Sequence, residues 1–465
     1  MHNFKLTSPE SVGISSSILL RMMRRLSELE YLNSVIILRR GCSILEAWQA
    51  PYERETPHQL FSLSKSFTSC AIGLAQAEGK LKLSDKLISF FPDYADCVTD
   101  SRMGEVTLEN LLTMRSGHLA CATKVMFGQR DYVRAFLSSS LDVEPGIRFA
   151  YNSGATYMLS AVIRRVTGEN VREYLMPRLF APLRISPGIW ECCPMGINLG
   201  GWGLSLTTDD IAKFTQLLLQ HGQWEGRQLI PADYLADATR KQADNSMNEN
   251  PDWKQGYGYQ FWVSQHGYRG DGAAGQLAVV LEEQQLCIAV TSCLADMQGL
   301  LNVFWTELIP HLKDDPLPEE PNAWRELQEY VADWRIRPLE AAMRGKAVWS
   351  VFHFQDNPAG ISQCDISFGQ NGCALTFLTS KGQEQLRAGF GHFEHSVIQL
   401  TDTRPHPVAA YAIWLNEHTL EIHSFICDGI FRDIWTVDFS NPEEPLKNRI
   451  LCSCFRPGKP RFLRA

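Results

Sequence analysis

A serine and a lysine stand three residues apart in the segment Leu60-Phe-Ser-Leu-Ser-Lys-Ser-Phe-Thr-Ser69, which continues with the apolar spacing of a helix. At this separation Ser62 and Lys65 share one face of a helix. The positive end of the helix dipole favours a serine at the helix start, and a desolvated lysine one turn later can accept the hydroxyl proton. The pair predicts a nucleophilic serine, although a single Ser-x-x-Lys recurs by chance in long chains.

A second candidate lies in residues 145–154, where a Pro-Gly turn and a short extended piece precede Tyr-Asn-Ser at 151–153, the expected start of another helix. A tyrosine near a lysine can lose its proton and relay protons between a serine and a leaving group. Either Lys65 or Tyr151 can therefore activate Ser62, and the sequence does not decide between them. Taken alone, Tyr151 is equally explained as a packed aromatic residue.

Together the two motifs resemble the class C branch of the serine β-lactamase and penicillin-binding-protein superfamily, in which Ser-x-x-Lys is followed by Tyr-x-[Asn/Ser]. Landmarks of that branch stand in order along the chain, at Ser8–Ser15, Gly79–Lys86, Thr107–Gly117, Gly200–Asp210 and Gly256–Trp262. The resemblance covers roughly residues 5 to 312. It implies catalytic roles for Ser62, Lys65 and Tyr151, and substrate contacts for Ser153 and Asn152.

The third motif of that family, Lys-Thr-Gly or His-x-Gly on the strand that lines the site, is not present in this form. The chain reads Gly270-Asp271-Gly272 and then Ala273-Ala274-Gly275. The missing cation meets the substrate carboxylate in relatives that act on penicillins or peptidoglycan, so the pattern is closer to the esterases and 6-aminohexanoate-dimer hydrolases of the branch. The resemblance implies an oxyanion hole formed by the backbone amides of Ser62 and Ala273, worth roughly 3 to 4 kcal/mol, with Gly272 beside the substrate.

Two alternatives to an esterase or amidase stay open. A β-lactamase or D,D-carboxypeptidase is disfavoured by the changed third motif and by the lack of an apolar secretion signal in the first residues. A catalytically silent binding or regulatory module would differ from an enzyme by forming no covalent adduct at Ser62. Residues 270–275 also spell Gly-x-Gly-x-x-Gly, but they lead into a strand and not into a helix, which argues against a dinucleotide site.

The elements that must position these residues follow from periodicity. Strands are expected at 34–38, 43–48, 277–281 and 286–291, and helices at 64–78, 108–114, 156–166 and 209–219. Strands at both ends with helices between them predict one sheet built from the two ends of the segment and an inserted all-α subdomain. The expected fold is therefore α/β, with a β-lactamase-like antiparallel sheet flanked by helices.

The acidic, proline-bearing stretch Lys313–Pro321 predicts a boundary. We expect a hydrolase domain at 1–313, a linker and helix at 314–344, and an accessory antiparallel β-sheet or barrel at 345–465, where seven short strand-like runs follow one another. The stiff linker suggests that the accessory domain covers the site and restricts substrate size.

Composition limits the partners. The 465 residues carry a net charge of −8 without a basic run, so nucleic acid is not expected. No stretch approaches the roughly 18 to 20 apolar residues that cross a bilayer, so no membrane partner is expected. The 13 cysteines show neither Cys-x-x-Cys nor Cys/His ligand spacing, which predicts no metal site and favours a cytoplasmic location.

No cofactor is expected, the predicted partner is a small-molecule ester or amide, and a homo-oligomer is left open. Four further side chains could reach the cleft, but hydrogen bonding or core packing explains them more simply: His118, His266, Trp202 and Trp262.

Overall fold

The computed structural model of this chain describes residues 4–29, 31–339, 345–346, 350–355, 357, 360–400, 404–440, 445–451 and 461–463. Its contacts divide the chain into two compact units. The first unit contains the chain up to Ala47, then Gln59–Ser292 and Asp296–Ala332. The second contains Trp48–His58, Cys293–Ala295 and the chain from Asp333 onward.

The first unit is built on a seven-stranded central sheet. Its strands lie in the order Lys5–Leu6, Cys42–Trp48, Leu32–Arg39, Leu286–Ser292, Gln276–Leu281, Tyr268–Gly272 and Trp262–Val263. Amino-terminal strands thus lie beside strands from the end of the unit, as the sequence predicts. The pairing of Leu32–Arg39 with Leu286–Ser292 is antiparallel, whereas Lys5–Leu6 runs parallel to its neighbour.

The helices of the first unit are Ser16–Ser27, Ser64–Ala77, Leu108–Leu112, Thr123–Met126, Tyr132–Leu137, Ser153–Thr167, Val171–Leu175, Thr208–Leu219, Ala232–Thr239, Met297–Val303 and Pro321–Ala332. Every residue of the strands Leu32–Arg39 and Gln276–Leu281 is buried. Uninterrupted burial means that both faces of the sheet are covered, which explains why these strands read as apolar runs without alternation. Helix Thr208–Leu219 supplies part of the cover.

Helix Ser64–Ala77 packs against helix Ser153–Thr167. This contact brings together two motifs that are almost 90 residues apart in the sequence, because Lys65 lies near the start of one helix and Ser153 begins the other. The second helix starts three residues earlier than its apolar spacing predicts, since the Asn152 side chain caps it.

The second unit contains a ten-stranded C-terminal sheet. Its main path runs through Ser350–His353, Ile361–Phe368, Gly372–Thr379, Gly382–Phe390, His406–Trp414, Thr419–Ile426, Arg432–Asp438, Leu446–Leu451 and Arg461–Leu463, and Glu394–Ile398 pairs with His406–Trp414. Strand Gly372–Thr379 buries alternate residues, the pattern of a strand with one face on a core.

Some details of this sheet differ from the expectation. The pairing of Gly382–Phe390 with His406–Trp414 is parallel, so the sheet is not purely antiparallel. Strand Gly382–Phe390 was not expected from the sequence, since its polar run Gly-Gln-Glu-Gln has low β-propensity. Residues 347–349 of one expected strand and residues 340–344 of the expected linker lie outside the described residues.

One short segment of the amino-terminal chain, Trp48–His58, belongs to the second unit. The side chain of Tyr52 packs in a buried cluster with Ala409 and Cys427, and the amide of Ala50 donates to the carbonyl of Trp334 at 3.1 Å. Helix Pro321–Ala332, expected as part of a linker, groups with the first unit. The boundary at residue 313 stays a prediction.

Candidate active site

Ser62 lies in a 3₁₀ turn, Phe61–Leu63, that leads directly into helix Ser64–Ala77. Phe61 has a φ of 49°, a left-handed conformation that bulky residues rarely adopt. The Ser64 hydroxyl donates to the Phe61 carbonyl at 2.6 Å, and the Leu63 amide donates to the Leu60 carbonyl at 3.2 Å. These bonds hold a strained turn that leaves Ser62 partly exposed.

The Lys65 ammonium group connects three parts of the site. Its Nζ donates to the Ser62 Oγ at 3.1 Å, the Ser153 Oγ at 2.9 Å and the Gly201 carbonyl at 2.6 Å. The side chain is only 1% exposed. All three acceptors are uncharged, so the lysine is desolvated without a carboxylate in direct hydrogen-bond contact.

Burial lowers the pKa of Lys65 to about 7, while the Cys121 thiol and the Asp271 carboxylate oppose the change. Desolvation penalises the charged form, and neutral hydrogen-bond acceptors only partly compensate. At neutral pH a large fraction of Lys65 is therefore unprotonated and can accept a proton from the Ser62 hydroxyl.

Tyr151 lies beside Lys65. Its ring centroid is 4.9 Å from the Lys65 Nζ. The ring stacks on Trp262 at 5.4 Å with an interplanar angle of 20°. Burial raises the pKa of Tyr151, so the phenol keeps its proton at neutral pH. This contrast in pKa favours Lys65 over Tyr151 as the base.

Asn152 holds the loop that precedes helix Ser153–Thr167. Its Oδ1 accepts from the amides of Gly154 at 3.0 Å, Ala155 at 3.3 Å and Ala122 at 3.0 Å, and the side chain is fully buried. Asn152 is therefore a helix cap, because its acceptor atom is occupied by backbone donors. The substrate contact expected at Asn152 stays a prediction.

The strand Tyr268–Gly272 carries the altered third motif and ends against the Ser62 turn. A Cβ at Gly272 would lie 2.0 Å from the Leu60 carbonyl oxygen. A glycine is thus required for close approach of the two backbones, and the substrate contact expected at Gly272 stays a prediction.

Ala273 follows in a tight turn closed by the Gly275 amide, which donates to the Gly272 carbonyl at 3.2 Å. Ala274 has a φ of 69°, and the Ser292 hydroxyl donates to its carbonyl at 2.6 Å. Within the described part of the chain, neither the Ser62 nor the Ala273 amide donates to a backbone or side-chain acceptor. The oxyanion hole expected at these two amides stays a prediction.

A cysteine that sequence reasoning passed over lies beside this cluster. The Ser153 amide donates to the Cys121 Sγ at 3.3 Å, and the Thr123 hydroxyl lies 3.1 Å from the same sulfur. Burial opposes ionisation, but hydrogen bonds from Thr123, Gly154 and Ser153 outweigh it and lower the pKa of the Cys121 thiol. The Gly201 carbonyl was also missed, since a backbone acceptor leaves no motif.

The remaining candidates have structural partners. His118 hydrogen-bonds to the hydroxyls of Ser116 and Ser139, and His266 packs against Trp305. Trp262 reaches the site through its stacking on Tyr151. Among the described residues, no group of three His, Cys, Asp or Glu side chains could hold a metal ion, and no helix is long and apolar enough to span a bilayer.

The family model named Beta-lactamase matches residues 33–297 of this chain. This match covers more than half of the sequence and includes the Ser62, Lys65, Tyr151 and Asp271 positions. The chain belongs to the Beta-lactamase family. The resemblance that the two motifs suggest is thereby confirmed.

Two curated relatives match parts of this Beta-lactamase family member. The beta-lactamase of Escherichia coli (strain K12) is 26% identical over 141 residues, which is 30% of this chain and 36% of that protein. The 6-aminohexanoate-dimer hydrolase of Paenarthrobacter ureafaciens is 21% identical over 218 residues, 44% of this chain and 56% of that protein. The matches thus span between about a third and just over half of these relatives.

Among solved structures, EstCE1, described as a hydrolase with promiscuous acyltransferase activity, superposes with a TM-score of 0.52 at 18% identity. The superposition covers 62% of this chain and 97% of EstCE1. At 18% identity this likeness shows only that the two proteins share a fold.

Proposed function

We propose that this protein is a metal-free serine hydrolase that cleaves an ester or amide bond through an acyl-enzyme on Ser62. The observation that carries the proposal is the position of the Lys65 Nζ, 3.1 Å from the Ser62 Oγ and 2.9 Å from the Ser153 Oγ. A nucleophile within hydrogen-bond reach of a base, with a third group orienting that base, is the arrangement that covalent acyl transfer requires.

In the acylation step, unprotonated Lys65 accepts the hydroxyl proton as the Ser62 Oγ bonds to the substrate carbonyl carbon. The carbonyl electrons move to oxygen, and the amides of Ser62 and Ala273 donate to the resulting oxyanion. The tetrahedral intermediate collapses, the bond to the alcohol or amine breaks, and the leaving group takes a proton.

We assign that proton transfer to Tyr151, reprotonated by Lys65, because the phenol is neutral and its ring centroid lies 4.9 Å from the Lys65 Nζ. Water then attacks the acyl carbon, with the same groups accepting its proton, and releases the acid and free Ser62. Ser153 positions Lys65 throughout through its 2.9 Å hydrogen bond.

An ester or small amide is the proposed substrate. The third motif carries neither the lysine nor the histidine that would meet a substrate carboxylate, since Gly270-Asp271-Gly272 occupies that place. β-Lactamase or D,D-carboxypeptidase activity is accordingly the less favoured alternative. The cytoplasmic location stays a prediction from the sequence.

The test combines labelling with turnover. Intact mass is measured after incubation with a fluorophosphonate, and hydrolysis of p-nitrophenyl acetate, p-nitrophenyl butyrate and nitrocefin is followed for the wild type, Ser62→Ala and Ser69→Ala. Ser69 is a matched control because it lies on the same helix but hydrogen-bonds to Tyr234.

We expect one phosphonyl adduct and ester turnover in the wild type and in Ser69→Ala, and neither in Ser62→Ala. Turnover of nitrocefin at a rate matching the esters would favour a β-lactamase. A folded wild-type protein that forms no adduct would refute the proposal and favour a binding module.

A further inference from the structure

The turn at residues 273–275 joins strand Tyr268–Gly272 to strand Gln276–Leu281 and has a strained backbone. Ala274 has a φ of 69° and Gly275 a φ of 86°, so two consecutive residues are left-handed. The usual three-residue hairpin loop contains one left-handed residue, and the Cβ of alanine makes this conformation costly. Such a backbone persists only where neighbouring groups hold it in place.

Ser292 holds the second half of this turn. It is fully buried at the end of strand Leu286–Ser292. Its hydroxyl donates to the Ala274 carbonyl at 2.6 Å and lies 2.9 Å from the Gly275 carbonyl oxygen. A Cβ at Gly275 would lie only 2.3 Å from the Ser292 Oγ, so a glycine is required here for the hydroxyl to reach both carbonyl groups.

Gln276 holds the first half of the turn and is also fully buried. Its Nε2 donates to the Ala273 carbonyl at 3.1 Å and to the Ser292 carbonyl at 2.6 Å, and its Oε1 accepts from the Ser292 amide at 3.2 Å. The carboxamide thus has partners at both its nitrogen and its oxygen, as buried polar groups require. Backbone pairing between the two strands ends at Leu277 and Val290, so the Gln276 side chain connects them where the backbone does not.

These contacts determine the direction of the Ala273 amide. The Gly275 amide donates to the Gly272 carbonyl at 3.2 Å, and the peptide group that joins Gly272 to Ala273 is planar, so its N–H points away from that carbonyl. Fixing Gly275 therefore fixes the Gly272 carbonyl and, through it, the Ala273 N–H. In the described part of the chain this N–H has no acceptor, whereas each carbonyl group of residues 272–275 has a donor.

We propose that Gln276 and Ser292 are positioning residues of the Ser62 site: they hold the turn at residues 273–275 so that the Ala273 amide donates to the developing oxyanion. This inference rests on the proposed function and deepens it, since it names the side chains that orient one of the two oxyanion donors. Such a donor is effective because its direction is set before the charge develops. Two buried polar side chains are therefore committed to one strained turn.

The experiment compares Ser292→Ala and Gln276→Met with Ser34→Ala. The first variant removes the hydroxyl, and the second keeps the length of the side chain but removes the carboxamide. Ser34 is a matched control because it is also buried, on the neighbouring strand, and its hydroxyl contacts those of Thr208 and Thr291 at 2.6 Å. Each folded variant is assayed for hydrolysis of p-nitrophenyl butyrate and for inhibition by propylboronic acid.

Propylboronic acid reproduces the charge of the transition state without turnover. The Ser62 Oγ adds to boron as its proton passes to Lys65, and the resulting tetrahedral anion carries a hydroxyl where the oxyanion forms. We expect kcat/KM to fall about tenfold in Ser292→Ala and in Gln276→Met, since a misdirected donor retains part of the effect of about 10²- to 10³-fold that a removed donor forfeits. The inhibition constant should rise by the same factor, and Ser34→Ala should match the wild type.

Two results would overturn the proposal. One is a kcat/KM within about twofold of the wild type in both folded variants. The other is a lower kcat/KM with an unchanged inhibition constant for propylboronic acid, because a loss that spares the tetrahedral anion does not arise at an oxyanion donor. Should Ser292→Ala fail to fold, Gln276→Met decides alone, because it releases the same turn at the Ala273 carbonyl.

Hydrogen exchange separates the failure of this inference from the failure of the proposed function. A wild type with no turnover and no phosphonyl adduct refutes the hydrolase, whereas exchange of the Gly275 amide, followed by NMR, tests the restraint on the turn in either case. Faster exchange in Ser292→Ala than in the wild type and in Ser34→Ala supports the restraint. Equal exchange in the three proteins contradicts it.

Discussion

Gly272→Ala tests whether close approach of the third-motif strand to the Ser62 turn forms the oxyanion hole. The added Cβ would lie 2.0 Å from the Leu60 carbonyl oxygen and 3.1 Å from the Leu63 amide nitrogen. Both are backbone atoms, so the clash cannot be relieved by a rotamer change. Because interiors are close-packed, the strand must retreat by about 1 Å.

Such a retreat carries the Ala273 amide away from the oxyanion while leaving Ser62 and Lys65 in place. Loss of one oxyanion donor typically lowers kcat by about 10²- to 10³-fold, and we expect a loss of that size in kcat/KM for p-nitrophenyl butyrate. The φ of Gly272 is not in the left-handed region. A lower kcat/KM in Gly272→Ala would therefore result from the steric clash and not from backbone strain.

Two matched variants control for the loss of a glycine. At Gly104 a Cβ meets nothing within 4 Å, so Gly104→Ala should leave kcat/KM unchanged. At Gly270 the Cβ would lie 2.6 Å from the Ser66 hydroxyl oxygen and the Leu63 Cδ1, which are side-chain atoms that can move, so a loss of about tenfold is expected. A folded Gly272→Ala enzyme within threefold of the wild type would refute the reasoning.

Four more predictions follow from the same contacts. Wild-type kcat/KM should rise with pH through about 7, the pKa of Lys65, and Lys65→Arg should abolish this rise together with most activity, because arginine does not lose its proton. Since folding lowers the pKa of Lys65, its contribution to stability is present above its unfolded pKa of 10.5 and is lost as pH falls through about 7. Tm should therefore increase from pH 7 to 8, below the pH at which thiols such as Cys70 and Cys287, whose pKa burial raises, ionise in the unfolded chain. Asn152→Ala removes an acceptor for three backbone amides and should lower the free energy of unfolding by about 1–2 kcal/mol, measured by urea denaturation. Iodoacetamide should alkylate Cys121, whose sulfur accepts from the Ser153 amide, and slow fluorophosphonate labelling in the wild type; equal slowing in Cys121→Ser would contradict this.

The two motifs of the proposed site were predictable because each is a short run of sequence. Ser62 and Lys65 are one helical turn apart, so spacing alone places them on a common face. Their proximity to Tyr151 and Ser153 depends on the packing of helix Ser64–Ala77 against helix Ser153–Thr167. Periodicity does not predict this packing, whereas the family resemblance does. The central sheet was predictable for a similar reason, since its buried strands are uninterrupted apolar runs.

The strand that carries the third motif was not predictable from the sequence. Tyr268–Gly272 contains two glycines, an arginine and an aspartate, a composition with low β-propensity that gives no alternating pattern. Each glycine is explained by the distance to a neighbouring backbone or side chain, and the charges by a buried pair. The groups that the two glycines approach, at Leu60, Leu63 and Ser66, lie far from them in sequence, so this strand could not be inferred without the fold.

The pKa of Lys65 is low because the side chain is buried and the atoms that its Nζ contacts carry no negative charge. A shift from 10.5 to about 7 corresponds to about 5 kcal/mol of free energy disfavouring the cation, and the Ser62, Ser153 and Gly201 oxygens that it contacts are all uncharged. A carboxylate in place of the Ser153 hydroxyl would restore the ammonium ion and remove the base. Asp271 influences Lys65 without being one of its hydrogen-bond partners, so its charge moderates the shift without cancelling it. The same burial that makes Lys65 a base at neutral pH therefore requires that acids at this site act only indirectly.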